Sequence, residues 1–563
     1  YRTGQTQQAF QAYEKALELA VREEDRAAVD MERAFTLVLQ GDYRAAREIC
    51  QKYPRVQGLP EARKWNCLGG IAFYTGKTKL AQESFQKALT IYNRFNDSYS
   101  VASVYNNIAI TYKHECNFQQ SLQHFINGLH VAEQLDSDNL IAIQNNNLGE
   151  VYLVLGNLPK AMDHFQRSLK ISESIHSLNL RLDSLINLAE IYFLQNDFRQ
   201  MAASLLAGYR ISREIQASLI DRSRMVLLLA RANIWRGRYR KALAKLDSVY
   251  QNIKDKDIPD IKFQVLELQL KVLHQLRNSQ RMQKTLDEMQ QMEMNSQHMA
   301  KYLYLRSLQA EIGQDYDEAA ELLKHAAKEV RQLDARIDLL EIKLQYVDIL
   351  LHNNQLDIAG RHLQAVFNSI RQFGLELFET GANLLQIRLQ IKQGQGKRRS
   401  VLRRLYETIT DAKKQKIYPL LVEAYDLMSY LYRLHRNDML LQSTEQLRGQ
   451  VYYKMGCFLP EFAASHFLAD EHIDVLQFPK IEGEKWQAYV QEEFVRQLEK
   501  LLDITDYDKL CREIVRFVQQ ELEVFRVGLF IAQEGHLPLS LAKAHNMDKQ
   551  SFARPDYVGR SNL

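Results

Sequence analysis

Residues 145–169 read NNNLGEVYLVLGNLPKAMDHFQRSL, and two related segments stand on either side of them. The earlier segment is YNNIAITYKHECNFQQSLQHFINGL at 105–129, and the later one is LINLAEIYFLQNDFRQMAASLLAGY at 185–209. Each segment has an Asn at the same place, namely Asn107, Asn147 and Asn187, followed by an apolar residue, a small residue and a Tyr. The even spacing of the three Asn indicates a repeat array.

The spacing within each segment predicts a hairpin of two helices. Apolar residues at i, i+3 or i+4 and i+7 place one buried stripe along the first helix, and a turn residue then ends it. Small residues such as Gly69 and Ala81 let the two helices approach closely, while Phe85 or Phe165 fills the space beside the next hairpin. Because one hairpin buries too little surface alone, the hairpins must stack.

The motif is most complete in the segment that begins at Trp65. Its matching positions are Trp65, Leu68, Gly69, Ala72, Gly76, Ala81, Phe85 and Ala88. The motif resembles the tetratricopeptide repeat (TPR), whose signature is W-x2-L-G-x2-Y followed by A-x3-F. The resemblance implies a mostly α fold, an α-α superhelix, with about 11–12 hairpins over residues 1–455. Residues 4–20 read as the second half of a repeat, so we expect a truncated first hairpin and a chain that continues upstream.

A turn residue is expected between the two helices of each hairpin. Turn elements are expected near Gly4, Gly41, Gly76, Cys116, Gly156, Asn196, Gly237, Asn278, Gln314, Asn354, Gly394 and Asn437. The repeat motif fits well to about Ala242, fits poorly from 254 to 300, recovers at 316–326 and fades after 370.

The sequence changes character after residue 455. Residues 456–484 contain Pro460 and Pro479 and lose the repeat spacing, which is typical of a linker. An amphipathic helix is expected at 486–504 and a second helix at 507–521. Strands are expected at 526–535 and 539–548, so residues 485–563 form a small C-terminal α/β portion.

This order of helix, helix, strand, turn and strand resembles the first half of a GAF domain, the small-molecule sensor module of bacterial signalling proteins. The resemblance covers about 494–563. One departure is Glu523-Val524-Phe525, where the family usually has Gly-Ala-Glu before its first strand. The sequence ends at Leu563, where the half that forms the pocket should begin, so no ligand-binding residue is carried over. TPR hairpins joined to a GAF module resemble large bacterial signal-transduction proteins, above all sigma-54-dependent transcriptional regulators.

The composition and charge of the chain do not point to nucleic acid or a membrane as its partner. The chain has 563 residues, is 46% hydrophobic and carries a net charge of only +4, so neither nucleic acid nor an anionic membrane is required as a partner. No apolar run is long enough to span a bilayer. Five scattered Cys without a CxxC pair predict reduced thiols in a cytoplasmic protein, with neither a disulfide frame nor a zinc site.

Catalytic motifs are missing from the sequence. GGIAFYTGKT at 69–78 resembles a phosphate loop, but Gly70 and Gly76 enclose five residues where such a loop needs four. There is no HExxH or GxSxG motif, and we expect no enzyme, no cofactor and no metal site in this segment. A basic cluster at 397–416 lacks interleaved aromatic residues and is read as a solvated face.

The repeated Asn residues are the candidate binding residues. The first helices of stacked hairpins line the concave surface, where Asn107, Asn147 and Asn187 would form a row. The complete candidate set is Asn106, Asn107, Lys113, Asn146, Asn147, Glu150, Asn187 and Glu190. An Asn amide both donates and accepts, so the row could hold the backbone of an extended peptide or protein segment. The alternative is that these amides bridge neighbouring helices, and the sequence leaves both open.

We therefore expect a non-catalytic, protein-binding segment of a bacterial regulator, which captures a protein or peptide and relays that state to a GAF and output domain. Two alternatives remain, a pure assembly adaptor and the substrate-selecting arm of an enzyme whose catalytic domain precedes Tyr1. The broad apolar stripe at 486–504 predicts a helix that pairs with a second copy of the chain.

Overall fold

The computed structural model describes residues 3–256, 258–397, 399–455, 527–533 and 536–545. Residues 3–455 are helical hairpins, and the second unit contributes two strands. The first helices of the hairpins are α2 (Glu23–Gln40), α4 (Leu59–Tyr74), α6 (Ser98–His114), α8 (Asp138–Val154), α10 (Leu178–Leu194), α12 (Leu219–Trp235), α14 (Pro259–Gln275), α16 (Ser296–Ile312), α18 (Arg336–His352), α20 (Glu379–Gln390) and α22 (Tyr418–Leu434).

The second helices return beside them, and α1 occupies the place of a second helix without a first. They are α1 (Thr3–Leu19), α3 (Tyr43–Lys52), α5 (Thr78–Arg94), α7 (Phe118–Gln134), α9 (Leu158–Ser174), α11 (Phe198–Glu214), α13 (Tyr239–Ile253), α15 (Ser279–Gln290), α17 (Tyr316–Leu333), α19 (Leu356–Phe373), α21 (Arg399–Gln415) and α23 (Asp438–Met455). A 3-10 helix, Glu376–Phe378, precedes α20, and a π-helical turn, Ile391–Gln395, follows it. The prediction of a mostly α solenoid is confirmed for these residues.

A left-handed residue ends each first helix in the array. These residues are Gly41, Gly76, Cys116, Gly156, Asn196, Gly237, Arg277, Gln314, Asn354, Gly394 and Arg436. One expected turn is wrong, and two are displaced by a single residue. Gly4 lies inside α1, and the turns assigned to Asn278 and Asn437 lie one residue earlier. Asn278 instead caps α15 by accepting a hydrogen bond from the Arg281 N–H, because Asn is favoured at a helix N-cap as well as in a left-handed turn.

Small residues let the two helices of a hairpin approach closely, as the sequence predicts, but the large rings expected beside the next hairpin pack against glycines of their own hairpin. A Cβ atom added to Gly149 would stand 2.5 Å from the ring of Phe165, and one added to Gly69 would stand 2.6 Å from that of Phe85. Phe165 is fully buried. Glycine is therefore required at both positions because any side chain would displace the ring.

The first helices form the inner row of the stack. Each one from α2 to α20 packs against the first helix of the next hairpin, whereas successive second helices do not pack comparably. In a curved stack, the row whose members lie closer together is the concave one. Side chains that project from the first helices away from their hairpin partners therefore face the inside.

Segments from distant hairpins also come into contact within the helical unit. The Arg336 side chain packs over Gly156, where an added Cβ would stand 2.9 Å from it, and Met455 and Pro419 pack over Gly237. The Trp235 and Phe378 rings meet edge to face at 6.2 Å between centroids. The array thus winds back on itself about every five hairpins, and the two layers share apolar core.

The second unit is described only at two antiparallel strands, β1 (Val527–Gln533) and β2 (His536–His545). Val527 pairs with His545 and Gln533 with His536. The strands lie where the sequence places them, although β2 begins three residues before the predicted 539. The predicted linker at 456–484 and helices at 486–504 and 507–521 lie outside the described residues, and the GAF-like fold of 485–563 stays a prediction.

Candidate binding site on the first helices

Six Asn side chains form an amide ladder across the inner row. The ladder consists of Asn66 on α4, Asn106 and Asn107 on α6, Asn146 and Asn147 on α8, and Asn187 on α10. Nδ2 donates to the Oδ1 of an Asn in the preceding hairpin, from Asn107 to Asn66 at 3.0 Å, from Asn147 to Asn106 at 2.7 Å and from Asn187 to Asn146 at 3.1 Å. Asn66 was not among the predicted residues, although it precedes Asn106 by the same interval that separates Asn106 from Asn146 and could have been found there.

The ladder uses only half of several amides. Among the described residues, none donates to Oδ1 of Asn107 or Asn147, and none accepts from Nδ2 of Asn66 or Asn106. These four side chains are half-buried. Asn187 differs because it is 2% exposed, donates to Asn146 and Glu150, and accepts from Arg224 Nη2 at 2.6 Å. One end of the ladder is saturated, and the other keeps unused donors and acceptors.

Charged side chains flank the ladder on the same helices. Lys113 Nζ lies 2.6 Å from Glu150 Oε2, and Arg231 Nη1 lies 2.5 Å from Glu190 Oε1. Burial alone would raise the pKa of Glu150, but the charges of Lys113 and Arg224 outweigh it, so this pKa lies below its usual value. Both ion pairs retain 27–30% of their side-chain exposure, so solvent reaches this surface.

Asp183 is less well compensated. Its carboxylate lies 3.5 Å from Arg224 Nη1, and Arg224 also donates to Asn187. Burial, helped by the charges of Asp221 and Glu150, raises the pKa of Asp183 to about 7 against the attraction of Arg224. Asp183 and Arg224 were not predicted from the sequence, because neither falls on a position of the repeat motif.

The ion pairs continue along α14, α16 and α18. Lys271 lies 3.0 Å from Glu267 and 2.7 Å from Glu341, and Lys301 lies 3.3 Å from Glu267 and 3.6 Å from Asp338. The Lys271–Glu341 pair joins α14 to α18 past the intervening α16, so it crosses the inside of the curve. Burial disfavours the charged form of Glu267, yet the two Lys hold its pKa well below the usual range.

Another cluster surrounds Arg388 on α20. Arg388 donates to Asp348, and its Nη1 lies 3.7 Å from Glu423. Burial, helped by the carboxylates of Asp348 and Asp426, raises the pKa of Glu423 to about 7 against the attraction of Arg388. Arg388 is 4% exposed, so its guanidinium is nearly as buried as Asn187 of the ladder.

The structure brings the predicted site residues together. Asn106, Asn107, Lys113, Asn146, Asn147, Glu150, Asn187 and Glu190 all lie on α6, α8 and α10. Glu150 connects Lys113 to Asn187, whereas Glu190 pairs with Arg231 of the next hairpin. Asn146 and Asn187 are buried within the ladder.

The loop-like glycine segment, the basic cluster and three of the cysteines have structural roles. Gly76 of the loop-like GGIAFYTGKT adopts φ 73° at the hairpin turn. In the basic cluster, Arg403 lies 3.4 Å from Glu407 one helical turn away, and both are well exposed. Cys50, Cys67 and Cys116 are buried and form no disulfide with one another.

No group of three or more His, Cys, Asp or Glu in the described residues is arranged to hold a metal ion. The helices that the structure describes include none with the length and apolarity that crossing a membrane requires.

Several solved structures resemble the chain at low identity. BtubC from P. vanneervenii is 23% identical over 38% of this chain and 92% of its own, with a TM-score of 0.32. The apo form of RapI is 15% identical over 53% of this chain and 99% of its own, with a TM-score of 0.33. The apo form of the quorum sensor NprR from B. thuringiensis is 13% identical over 65% of this chain and 94% of its own, with a TM-score of 0.34.

No curated protein matches the chain. Residues 67–344, a little under half of the sequence, match the family model described as the MalT-like TPR region. This segment contains most of the amide ladder and most of the ion pairs described above. The helical hairpins and the family match together show that the chain contains a TPR-like region.

Proposed function

We propose that the inner surface of α4 to α12 binds an extended segment of a partner protein. The observation that carries this proposal is the half-used amide ladder. The unused Oδ1 of Asn107 and Asn147 can accept hydrogen bonds from backbone N–H groups, and the unused Nδ2 of Asn66 and Asn106 can donate to backbone carbonyls. Such contacts hold a backbone without regard to its side chains.

The spacing of the ladder suits an extended chain. Packed helices lie about 8–10 Å apart, and an extended chain advances about 3.3–3.6 Å per residue. One step of the ladder therefore matches roughly three residues of the bound segment. The same amides can therefore both bridge neighbouring helices and hold a partner. In each of these Asn one of the two polar atoms, Nδ2 or Oδ1, bonds the neighbouring helix, and the other is available to the partner.

The test begins with short unstructured peptides selected for binding to the intact chain. We expect the double variant Asn107→Ala, Asn147→Ala to lose about tenfold or more in affinity, since each substitution removes an acceptor from the groove. Asn127→Ala with Asn368→Ala is the matched control, because both Asn lie on second helices and the side chain of each bonds a single described residue, a Gln one turn away.

Thermal unfolding of the same variants separates capture from bridging. Capture requires that the ladder variant lose affinity while its melting temperature falls only modestly. A variant that binds its peptide as tightly as the control contradicts the proposal. A collapse of the melting temperature would instead assign the amides to helix bridging. A buried polar group left without its hydrogen-bond partner lowers the free energy of unfolding by about 1–3 kcal/mol.

We further propose that binding of the partner segment changes the state of a GAF-like sensor domain, within a bacterial signal-transduction regulator. Its support is the sequence resemblance and the pairing of β1 with β2. Hydrogen exchange in 527–545 should change when a selected peptide binds. An unchanged exchange pattern there would favour the pure adaptor. An enzyme that uses this array as a substrate-selecting arm is the remaining alternative, and there the captured segment would belong to the substrate.

A further inference from the structure

Carboxylates outnumber Lys and Arg side chains where the first helices face one another, although the whole chain has a net charge of +4. We define the inner network as the Lys, Arg, Asp and Glu residues of the first helices α6 to α22 that form an ion pair with an oppositely charged or His side chain also on a first helix. Among the described residues its cationic members are Lys113, Arg224, Arg231, Lys271, Lys301 and Arg388. Its carboxylates are Glu150, Asp183, Glu190, Asp260, Glu267, Glu311, Asp338, Glu341, Asp348 and Glu423. Ten carboxylates thus face six Lys and Arg side chains, and three of the carboxylates also pair with His274, His298 or His352.

The surplus is localised at two places. Near the ladder, Arg224 is divided between Asp183 and the Oδ1 of Asn187. Further along the array, the guanidinium of Arg388 is shared between the carboxylates of Asp348 and Glu423. A half-buried carboxylate that lacks a full counter-charge is destabilised, and a cation that arrives from a ligand relieves this penalty.

We propose that the bound segment is basic, and that a Lys or Arg of that segment pairs with Asp183 beside the Asn ladder. The inference rests on the proposed capture of an extended segment. Asp183 keeps 35% of its side-chain exposure, so a cation in the groove can reach it. An acidic segment would add like charge to an inner surface that already has a negative surplus, so complementarity disfavours it.

The protonation of Asp183 supports the same partner. The charged groups that face it are Arg224 and Asp221 on α12 and Glu150 on α8. Because the pKa of Asp183 is raised to about 7, its carboxyl is protonated in a fraction of the molecules at neutral pH. An ammonium group brought beside it would lower that pKa and release the proton. Binding should therefore release protons near neutral pH.

The experiment uses the full chain and three synthetic peptides that share a flexible Gly/Ser backbone and carry evenly spaced Lys, Gln or Glu. Calorimetry at low salt should give the Lys peptide an affinity about tenfold above that of the Gln peptide, with no measurable binding of the Glu peptide. Repeating the Lys titration in buffers of different ionisation enthalpy should show proton release near pH 7.

Two variants locate the interaction. Asp183→Asn should weaken the Lys peptide by about fivefold to tenfold, abolish the proton release and leave the Gln peptide unchanged. Glu48→Gln is the matched control, because it removes one carboxylate from α3, where Glu48 is 64% exposed and pairs with Arg44. The control should bind all three peptides as the parent chain does.

The possible failures are distinguishable. If the Gln peptide binds as tightly as the Lys peptide and both depend on Asn107 and Asn147, capture holds and the basic preference is overturned. If the Glu peptide binds best, or if Asp183→Asn leaves the Lys peptide unaffected, the basic preference is likewise overturned. If none of the peptides binds, both proposals fail.

Discussion

Equivalent Asn residues of this array occupy different environments. Asn107 is half-buried and makes one hydrogen bond through Nδ2, whereas Asn187 is buried and uses both ends of its amide. The difference arises from Arg224 and Glu150, which reach Asn187 from α12 and α8. A repeated residue can therefore be mainly structural at one step of the ladder and available to a partner at another.

This difference predicts unequal effects on stability. Asn187→Ala should lower the free energy of unfolding by about 2–3 kcal/mol, because it takes a hydrogen-bond partner from Asn146, Glu150 and Arg224 in a buried place. Asn107→Ala should lower it by about 1 kcal/mol, because it breaks one half-buried bond. Chemical denaturation of the two variants measures both values, and equal losses would contradict the assigned roles.

Glu423 predicts a pH dependence of stability. Its pKa is raised to about 7 in the folded chain from an ordinary 4.5, by burial and by the carboxylates of Asp348 and Asp426, against Arg388 and His352. Between these values the folded state binds more protons than the unfolded state, so stability falls as pH rises through this window. The Gln side chain of the Glu423→Gln variant cannot ionise, so the variant does not lose stability in this way as pH rises.

The stability of Glu423→Gln relative to the parent should therefore increase by about 3 kcal/mol as pH rises from about 4.5 to about 7.5. Denaturation midpoints at several pH values measure the difference. A relative stability that stays constant, or decreases with pH, would show that folding does not raise the pKa of Glu423.

At the scale of the elements, the sequence predicted the hairpins well because their signals are local. The Asn, Gly and Tyr spacing of the first helices and the Ala and Phe spacing of the second helices recur from one hairpin to the next. The turns at Arg277 and Arg436 were misplaced because the neighbouring Asn is favoured both in a left-handed turn and at an N-cap. Both positions are compatible with the local sequence.

The caps of the second helices allow a direct test. Asp315 caps α17 by accepting a hydrogen bond from the Glu318 N–H, whereas Lys77 holds the same position before α5 without such a bond. Asp315→Ala should lower the free energy of unfolding by about 1 kcal/mol, and Lys77→Ala should change it little. Urea denaturation of both variants provides the comparison. Equal effects would mean that the capping bond does not contribute to stability.

At the scale of the whole molecule, the ion pairs of the inner surface could not be predicted. Lys271 and Glu341 belong to different hairpins and meet because the array curves, while the motif is weakest near Lys271. The ladder was predictable because its members share the repeat period. Asp183 and Arg388 were missed because their importance depends on neighbours from other hairpins. The α/β prediction for 485–563 rests on sequence beyond the described strands.

The contacts between distant hairpins predict a departure from simple solenoid behaviour. In a solenoid with contacts only between neighbouring repeats, a substitution affects only adjacent hairpins. Phe378 is 8% exposed and packs on Trp235. Phe378→Ala should therefore accelerate hydrogen exchange in α12, which is distant in sequence. The control Phe95→Ala removes a half-exposed ring and should leave α12 unchanged. Acceleration confined to 356–434 would contradict the observed winding.

The central claim is that the inner row of first helices is the binding surface, and hydrogen exchange of the full chain with and without a selected peptide tests it most directly. We expect slower exchange in α6, α8 and α10, which carry most of the Asn ladder, and unchanged exchange in the second helices α7, α9 and α11. Protection confined to the second helices, or none anywhere in residues 59–235, would contradict the claim.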